Sequence, residues 1–214
     1  MRNSQNKEIV VLIHGLARSK YSMWYLAKKL NRQGFATILF GYPSRSENIS
    51  TLVEILHQFI KQKKLSDKQI YFVTHSLGSI IAKRFVSKYS DHFNFKRAIH
   101  LGPPHRGSQT ANFLKRFWLI RKLMGPAFIE LSELVSLKDD PKIETGIIAG
   151  IIPFKKGYYF CLDSSNDGIV TVDETKLPGS KDHTTIKGSH SFLMYQSKVI
   201  NLTLEFLKTG SFTQ

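Results

Sequence analysis

The chain passes from an apolar run at 70–72 directly into the stretch Val73-Thr74-His75-Ser76-Leu77-Gly78-Ser79, after which apolar residues recur at helical spacing. A strand that runs straight into a helix places Ser76 on a sharp bend at the carboxyl end of the strand. The N-terminus of the helix offers free backbone N–H groups and the positive end of a dipole. The stretch therefore predicts a serine hydroxyl beside groups that stabilise a developing negative charge.

Small residues are needed at such a bend. Gly78, two residues after Ser76, lets the helix pass close to the strand, whereas Thr74 occupies the position where the pattern Gly-x-Ser-x-Gly has its first glycine. A strand-to-helix turn with an N-capping serine has the same local sequence. The partners of Ser76 must therefore decide between the two interpretations.

A serine hydroxyl becomes a good nucleophile when a neighbouring base takes its proton, and histidine serves best near neutral pH. His190 lies in a Gly-Ser-His-Ser loop before a predicted helix at 191–208, from which it can reach a serine at a strand end. His183 is the alternative, but it begins a short strand-like piece. A loop position favours His190.

A carboxylate that orients the histidine is expected between the serine and the histidine in the chain. Asp167 lies in an Asn-Asp-Gly turn ahead of residues 169–172, which read as a strand. An Asp-Gly pair is also a common turn former. Its rivals are Asp163, at the end of a predicted strand at 158–162, Asp173 and Glu174.

The first predicted strand, 8–13, ends in His14-Gly15-Leu16. Gly15 permits an unusual backbone conformation. The backbone N–H of Leu16 is then placed to act with that of Leu77 on an oxyanion. His14 itself is interpreted as structural because it directly follows the strand.

Taken together, these pieces resemble the α/β-hydrolase superfamily, and most of all its small bacterial lipase and esterase members. They follow the family's order and spread over most of the chain. The matching segments are 11–16, 41–44, 72–78, 101–108, 166–170 and 189–192.

The resemblance implies a catalytic triad of Ser76, Asp167 and His190, with the N–H groups of Leu16 and Leu77 as the oxyanion hole. It also implies an acyl-ester substrate. The chain departs from the family pattern at Thr74 and at Ser79, where a further glycine is common, and both departures concern the tightness of the turn.

Strand-like and helical segments alternate along the chain. This alternation predicts an α/β fold in which a mostly parallel central sheet carries helices on both faces. Residues 1–214 are expected to form a single α/β-hydrolase domain. Thr51 and Glu54 are expected to form a capping box at the helix that starts near 49. The predicted strands are 8–13, 35–40, 70–74, 96–101, 143–149, 158–162 and 183–186, and the predicted helices are 21–33, 49–64, 77–89, 109–136 and 191–208.

The helical stretch 109–136 interrupts this alternation. It mixes bulky apolar residues with four basic ones, and Gly125-Pro126 divides it into two pieces. One hypothesis is a small cap in which Phe117 and Trp118 supply an acyl-binding pocket. An ordinary packing helix is the alternative.

The charge and the motifs of the sequence indicate which kinds of partner and cofactor to expect. The formal net charge is +15, but the basic residues are scattered and no nucleic-acid-binding module is recognisable. We therefore expect a charged surface, with contact to an anionic membrane as the second interpretation and no nucleic-acid partner. No sequence motif for a nucleotide, a metal or a redox dithiol is present, so no cofactor is expected.

The location of the protein is predicted from its ends and its cysteine content. Cys161 is the only cysteine, and the N-terminus has no apolar signal sequence, so we expect a cytoplasmic protein. A secreted form that has lost its leader fits the same sequence.

The sequence thus favours a serine hydrolase of small-molecule or lipid carboxylic esters. An acyltransferase with the same triad is one alternative. A non-catalytic basic protein that binds lipid surfaces or nucleic acid is another.

Overall fold

The computed structural model describes residues 8–134 and 136–212, and within these ranges six strands form one sheet. All neighbouring strands are parallel, in the order β2-β1-β3-β4-β5-β6. The predicted fold class is therefore confirmed. The strands are β1 (Glu8–Ile13), β2 (Thr37–Phe40), β3 (Gln69–His75), β4 (Asn94–Leu101), β5 (Glu144–Ile151) and β6 (Asp182–Lys187).

The sheet is covered on both faces, which explains the unbroken apolar sequence of β1 after Glu8. Successive side chains of a strand point to opposite faces. Val11 and Ile13 accordingly pack in one cluster with α2 and α3, while Val10 and Leu12 pack in the other with α1 and α8. The helices are α1 (Trp24–Arg32), α2 (Ile49–Gln62), α3 (Leu77–Tyr89), α4 (Gln109–Leu114), α5 (Trp118–Met124), α6 (Pro126–Glu133), α7 (Val172–Thr175) and α8 (Ser197–Thr209).

Short 3₁₀ turns precede α1 and α8, at Lys20–Met23 and His190–Tyr195. Across the two described ranges, no helix combines the length and the apolar character that crossing a bilayer requires.

Two predicted strands are absent from the structure. In the aromatic run at 158–162, residues 158–160 form a turn and 161–162 have no regular structure, while residues 169–170 form a bend shortly before α7 begins at Val172. Positive φ angles at Gly157 (68°) and Phe160 (56°) break the extended conformation that a strand needs. The prediction for 158–162 followed the aromatic composition, but Tyr158, Tyr159 and Phe160 are exposed and pair with no strand of this sheet.

Helix boundaries also differ from the predictions. The start of α2 is capped by Asn48, whose Oδ1 accepts from the Thr51 N–H at 2.8 Å, so the predicted box with Glu54 does not form. A capping box occurs instead at α7 between Thr171 and Glu174. The predicted helix 109–136 divides into α4, α5 and α6, because residues 115–117 add a break to the one at 125, and residue 135 lies outside the described residues.

A cluster of buried polar side chains includes His100 of β4. His100 Nδ1 and His105 Nε2 are 2.8 Å apart, and Lys83 Nζ lies 3.6 Å from Asp139 Oδ1. Burial lowers the pKa of His100 to about 3 and that of His105 well below its usual value, so both rings are neutral. Burial likewise lowers the pKa of His75 at the end of β3.

These three histidines make folding sensitive to acid. In the unfolded chain they titrate near a pKa of about 6.5, and below that pH they bind protons that the folded state does not bind. Their stabilising effect is therefore complete above that pH and is lost as the pH falls below it. We expect the free energy of unfolding to drop by about 1.4 kcal/mol per pH unit for each proton taken up on unfolding.

Urea denaturation across this pH range measures the slope, and His100→Gln is expected to reduce it. Replacement of the exposed His92 by Gln is the matched control. A free energy of unfolding that stays constant as the pH falls through this range contradicts the prediction. Asp139 and Glu174, whose pKa values burial raises, bind protons more readily in the folded state and therefore oppose the trend.

Candidate active site

Ser76 sits on a strained turn between β3 and α3. Its φ of 52° and ψ of −123° are unusual for a residue with a side chain, and its N–H donates to the Leu101 carbonyl at 3.0 Å. Gly78 allows the turn, since a Cβ there would lie 2.6 Å from the His14 carbonyl oxygen and 2.7 Å from that of Ile13. The sequence thus folds into the bend that its strand–serine–helix pattern predicts.

The two departures from the family pattern contact each other. Thr74 and Ser79 are fully buried on either side of the bend, and their hydroxyl oxygens are 2.7 Å apart. A threonine at 74 therefore does not obstruct the turn. It provides a hydrogen bond that joins the end of β3 to the first turn of α3.

Asp167 and His190 form a hydrogen-bonded pair. His190 Nδ1 lies 2.7 Å from Asp167 Oδ2, and the His190 N–H donates to the Asp167 carbonyl at 2.8 Å. The Asp167 side chain is completely buried, and that of His190 is nearly so. Nε2 of His190 makes no hydrogen bond to the described residues, and His190 and Ser76 line the same cavity.

The loop around Asp167 is held by a dense set of hydrogen bonds. Asp167 Oδ1 accepts the N–H groups of Ile169 at 3.1 Å and Val170 at 2.8 Å, which satisfies the carboxylate away from His190. The Asn166 side chain donates to the carbonyls of Lys155 and Ser164. The carboxylate therefore needs no strand to keep its position.

The buried side chain of His75 contacts both the backbone and the ring of His190. Its Nε2 lies 2.9 Å from the His190 carbonyl oxygen, and the two rings are tilted with centroids 4.7 Å apart. Burial lowers the pKa of His75, so the ring is neutral and donates its Nε2–H to that carbonyl. Gly15 makes room for the ring, since a Cβ there would lie 2.8 Å from His75 Nδ1.

Gly102, which directly follows β4, provides space for the pair. Its φ is +55°, and an added Cβ would lie 3.0 Å from both Asp167 Oδ2 and His190 Nδ1. A side chain at this position would meet both partners of the hydrogen bond.

The alternative acids and the alternative base do not line the cavity that Ser76 lines, and each has other surroundings. Asp163 is exposed, and Asp173 pairs with Arg106 and Lys176 at the surface. Glu174 is part of the capping box of α7. His183 lies near the amino end of β6, whereas Ser76 follows the carboxyl end of β3. The Nε2 of His183 is 2.8 Å from Thr175 Oγ1.

The loop after β1 lies beside the elbow. Within the described ranges, neither the N–H of Leu16 nor that of Leu77 has a hydrogen-bond acceptor, and Leu16 lines the cavity. The loop is fixed by the Ala17 N–H, which donates to Ser44 Oγ at 3.0 Å, and by the Tyr42 hydroxyl, which donates to the His14 carbonyl at 2.6 Å. The imidazole of His14 stacks on Tyr42, consistent with a structural role.

A cavity of about 630 Å³ opens over Ser76 and His190. The helices α4, α5 and α6 supply its apolar wall. Phe117 and Trp118 are not part of it, because α5 turns Ile120, Leu123 and Met124 toward the cavity and leaves Trp118 70% exposed. The wall consists of Leu114, Ile120, Leu123, Met124, Phe128 and Leu131.

No cluster of three or more His, Cys, Asp or Glu side chains suited to a metal ion occurs within residues 8–134 and 136–212. The chemistry that these residues offer is nucleophilic: a serine at a strained bend, a histidine, and a buried carboxylate that orients the histidine.

A family model described as the alpha/beta hydrolase fold matches residues 8–128, more than half of the chain. The chain belongs to this family. The resemblance drawn from the sequence is therefore confirmed. A search of curated protein sequences gave no match to this α/β hydrolase.

Several solved structures share the fold of this α/β hydrolase. The mature lipase BlEst2 of Bacillus licheniformis aligns with a TM-score of 0.66 at 21% identity, over 95% of this chain and 92% of that chain. Phospholipase PlaB of Legionella pneumophila aligns with a TM-score of 0.70 at 17% identity, over 94% and 57%. The metagenomic carboxyl esterase MGS0156 aligns with a TM-score of 0.67 at 18% identity, over 87% and 65%. At these identities the likeness establishes the fold alone.

Three features of the site were missed in the sequence. His75 and Gly102 gave no separate signal, because their contacts reach residues about 65 to 115 positions away in the chain. The pairing of Thr74 with Ser79 had a signal, since two polar residues five apart replace two glycines at the same bend.

Gly102→Ala is expected to disturb the Asp167–His190 pair as well as the backbone. The positive φ alone costs about 1–2 kcal/mol, and the added methyl must also displace one of the two partners. Gly34→Ala is the matched control, because its φ is +92° and nothing lies within 4 Å of an added Cβ. The downfield NMR signal of the His190 Nδ1 proton should be lost or shifted only in Gly102→Ala, and identical spectra for the two variants would argue against the pair.

Proposed function

We propose that this α/β hydrolase cleaves carboxylic esters through an acyl-enzyme intermediate formed on Ser76. One observation carries the proposal: the 2.7 Å contact between His190 Nδ1 and Asp167 Oδ2, in a cavity that Ser76 also lines. A buried carboxylate on Nδ1 fixes the tautomer that leaves Nε2 free to accept a proton.

In acylation, Ser76 Oγ attacks the acyl carbon of the ester while His190 Nε2 accepts its proton. The Asp167 carboxylate stabilises the resulting imidazolium. The carbonyl oxygen becomes an oxyanion that accepts from the N–H groups of Leu16 and Leu77. The tetrahedral intermediate then collapses, and the leaving alkoxide takes the proton from His190.

In deacylation, water takes the place of the alcohol. His190 Nε2 accepts a proton from the water as the water oxygen attacks the acyl carbon, and the same amides hold the second oxyanion. Collapse releases the carboxylic acid and returns the proton to Ser76 Oγ. The triad is thereby restored.

The cavity favours a hydrocarbon acyl group. Its wall from α4, α5 and α6 is apolar, and a chain buried against such a wall gains about 0.8 kcal/mol per methylene. The substrate class is therefore a small-molecule or lipid ester, in line with the lipase and phospholipase named among the structural neighbours.

Two other functions are separated by experiment. An acyltransferase would use the same acyl-enzyme and pass the acyl group to an alcohol, so added alcohols would yield new esters in preference to free acid. A non-catalytic basic protein would not react with a fluorophosphonate. The expected absence of a nucleic-acid partner and the cytoplasmic location stay predictions.

Ser76→Ala is expected to lower kcat for a p-nitrophenyl ester by about three to six powers of ten, because the triad acts as a unit. A fluorophosphonate should label the native chain at Ser76, as mass spectrometry of the peptide can establish. Unchanged turnover in Ser76→Ala would refute the assignment.

Asp167→Asn is expected to lower kcat by about three to four powers of ten, because the amide no longer holds the required tautomer of His190. Asp163→Asn is the matched control, since Asp163 is exposed and lies only four residues earlier. Steady-state kinetics give kcat for the two variants and so decide between the two carboxylates. Equal losses, or a larger loss in Asp163→Asn, would overturn the role of Asp167.

Met124→Trp is expected to shift preference toward short acyl chains, because Met124 lines the cavity and the larger ring shortens it. Each methylene that no longer fits should cost about fourfold in kcat/KM. Leu119→Trp is the control on the same helix, since Leu119 is exposed outside the cavity. A series of p-nitrophenyl esters gives the comparison, and an unchanged profile in Met124→Trp would exclude this wall as the acyl site.

A further inference from the structure

Two segments that each contribute at least one residue to the cavity also carry exposed apolar and basic side chains. We refer to these side chains as the rim. A contiguous exposed patch of apolar side chains with polar neighbours commonly marks a site that contacts a protein, a membrane or a ligand. The rim consists of Arg116, Phe117, Trp118, Leu119, Arg121, Lys122 and Leu123 beside or on α5, and of Phe154, Lys155, Lys156, Tyr158, Tyr159 and Phe160 in the loop after β5.

The rim is continuous with the cavity. Leu123 and Tyr159 line the cavity and are also 51% and 44% exposed, so they lie where it opens to solvent. Phe160 is 74% exposed and packs edge-to-face on Phe154, with ring centroids 5.4 Å apart. The rings near the mouth therefore support one another without becoming buried.

The charge of the rim has one sign. Residues 115–124 and 154–161 contain six Lys or Arg residues and no Asp or Glu. Lys115 pairs with Glu133, whereas in the described part of the chain no carboxylate lies within 4 Å of the other five cations. These five are all exposed. They are available to an anionic partner.

We propose that the rim docks on the surface of an anionic phospholipid bilayer, with the cavity mouth facing the lipid. Aromatic rings favour the boundary between headgroups and acyl chains, and each basic side chain near an anionic surface adds about fivefold in affinity. Docking in this orientation lets an acyl chain pass from the bilayer into the cavity. That delivery rests on the proposed ester hydrolysis, whereas binding to the bilayer does not.

Vesicle binding tests the proposal with full-length Ser76→Ala, which leaves the lipid intact. We expect it to co-sediment with vesicles of phosphatidylcholine and phosphatidylserine, weakly with pure phosphatidylcholine, and less as salt is raised. Replacing Arg121, Lys122, Lys155 and Lys156 together by Gln should lower the affinity at least tenfold. Absence of binding to the anionic vesicles would overturn the proposal.

Four lysines near the amino end of β3 provide a control variant that removes the same charge. Lys61, Lys63, Lys64 and Lys68 lie at the end of α2 and before β3, away from the cavity. Replacing these four by Gln removes the same charge and should change vesicle affinity less than threefold. Equal losses in the two variants would mean that net charge alone binds the vesicles, which overturns the proposal.

Trp118 reports the orientation of the bound protein. Trp24→Phe leaves Trp118 as the only tryptophan, and its emission should shift to the blue and be quenched by lipids brominated on the acyl chains. An unchanged spectrum on bound vesicles would overturn insertion of the rim. Loss of duplex-DNA binding or of a dimer in the rim variant, with vesicle binding retained, would assign the rim to that other partner.

Turnover of water-soluble p-nitrophenyl acetate by chains with a native Ser76 separates this proposal from the catalytic one. The variant in which Arg121, Lys122, Lys155 and Lys156 are replaced by Gln should keep this activity and its thermal unfolding temperature, because none of these four residues lines the cavity. Vesicle binding without fluorophosphonate labelling would refute the hydrolase assignment and leave the docking surface in place.

Discussion

The contact between the Asp167 carboxylate and the His190 imidazole is the interaction on which the site depends. It joins the loop after β5 to the loop after β6, and a second bond from the His190 N–H to the Asp167 carbonyl reinforces it. A carboxylate removed from water is costly unless its oxygens are bonded. Here Ile169 and Val170 satisfy one oxygen and His190 the other, so the bonds that compensate for burial also fix the position of the carboxylate against the imidazole.

Ser76 depends on an equally constrained environment. Its positive φ is tolerated because β3 and α3 hold both sides of the turn, and because Gly15 and Gly78 leave room for neighbouring backbone and for the His75 ring. His75 in turn bonds the His190 carbonyl. Ser76 and His190 are thus linked through His75, which precedes Ser76 in the chain and contacts the His190 backbone.

Sequence reasoning was most successful where a residue acts through its local surroundings. The strand-to-helix turn at Ser76 has its own pattern, and the apolar strands alternate regularly with helices. It was wrong for 158–162 and 169–172, where aromatic and β-branched composition was taken for strands. The placement of Phe117 and Trp118 in an acyl pocket also differs from the structure, because composition does not tell which face of α5 meets the cavity.

The sequence by itself determined the α/β class, the parallel sheet and the order of serine, acid and base, because periodicity and turn chemistry act over a few residues. Only the tertiary structure showed which carboxylate and which histidine meet: Asp167 and His190 pair, whereas Asp163 is exposed and His183 contacts Thr175. That choice depends on which loops follow strands at the same edge of the sheet, and on the buried hydrogen bonds that form once these loops meet. Such bonds join residues far apart in the chain and leave no local pattern.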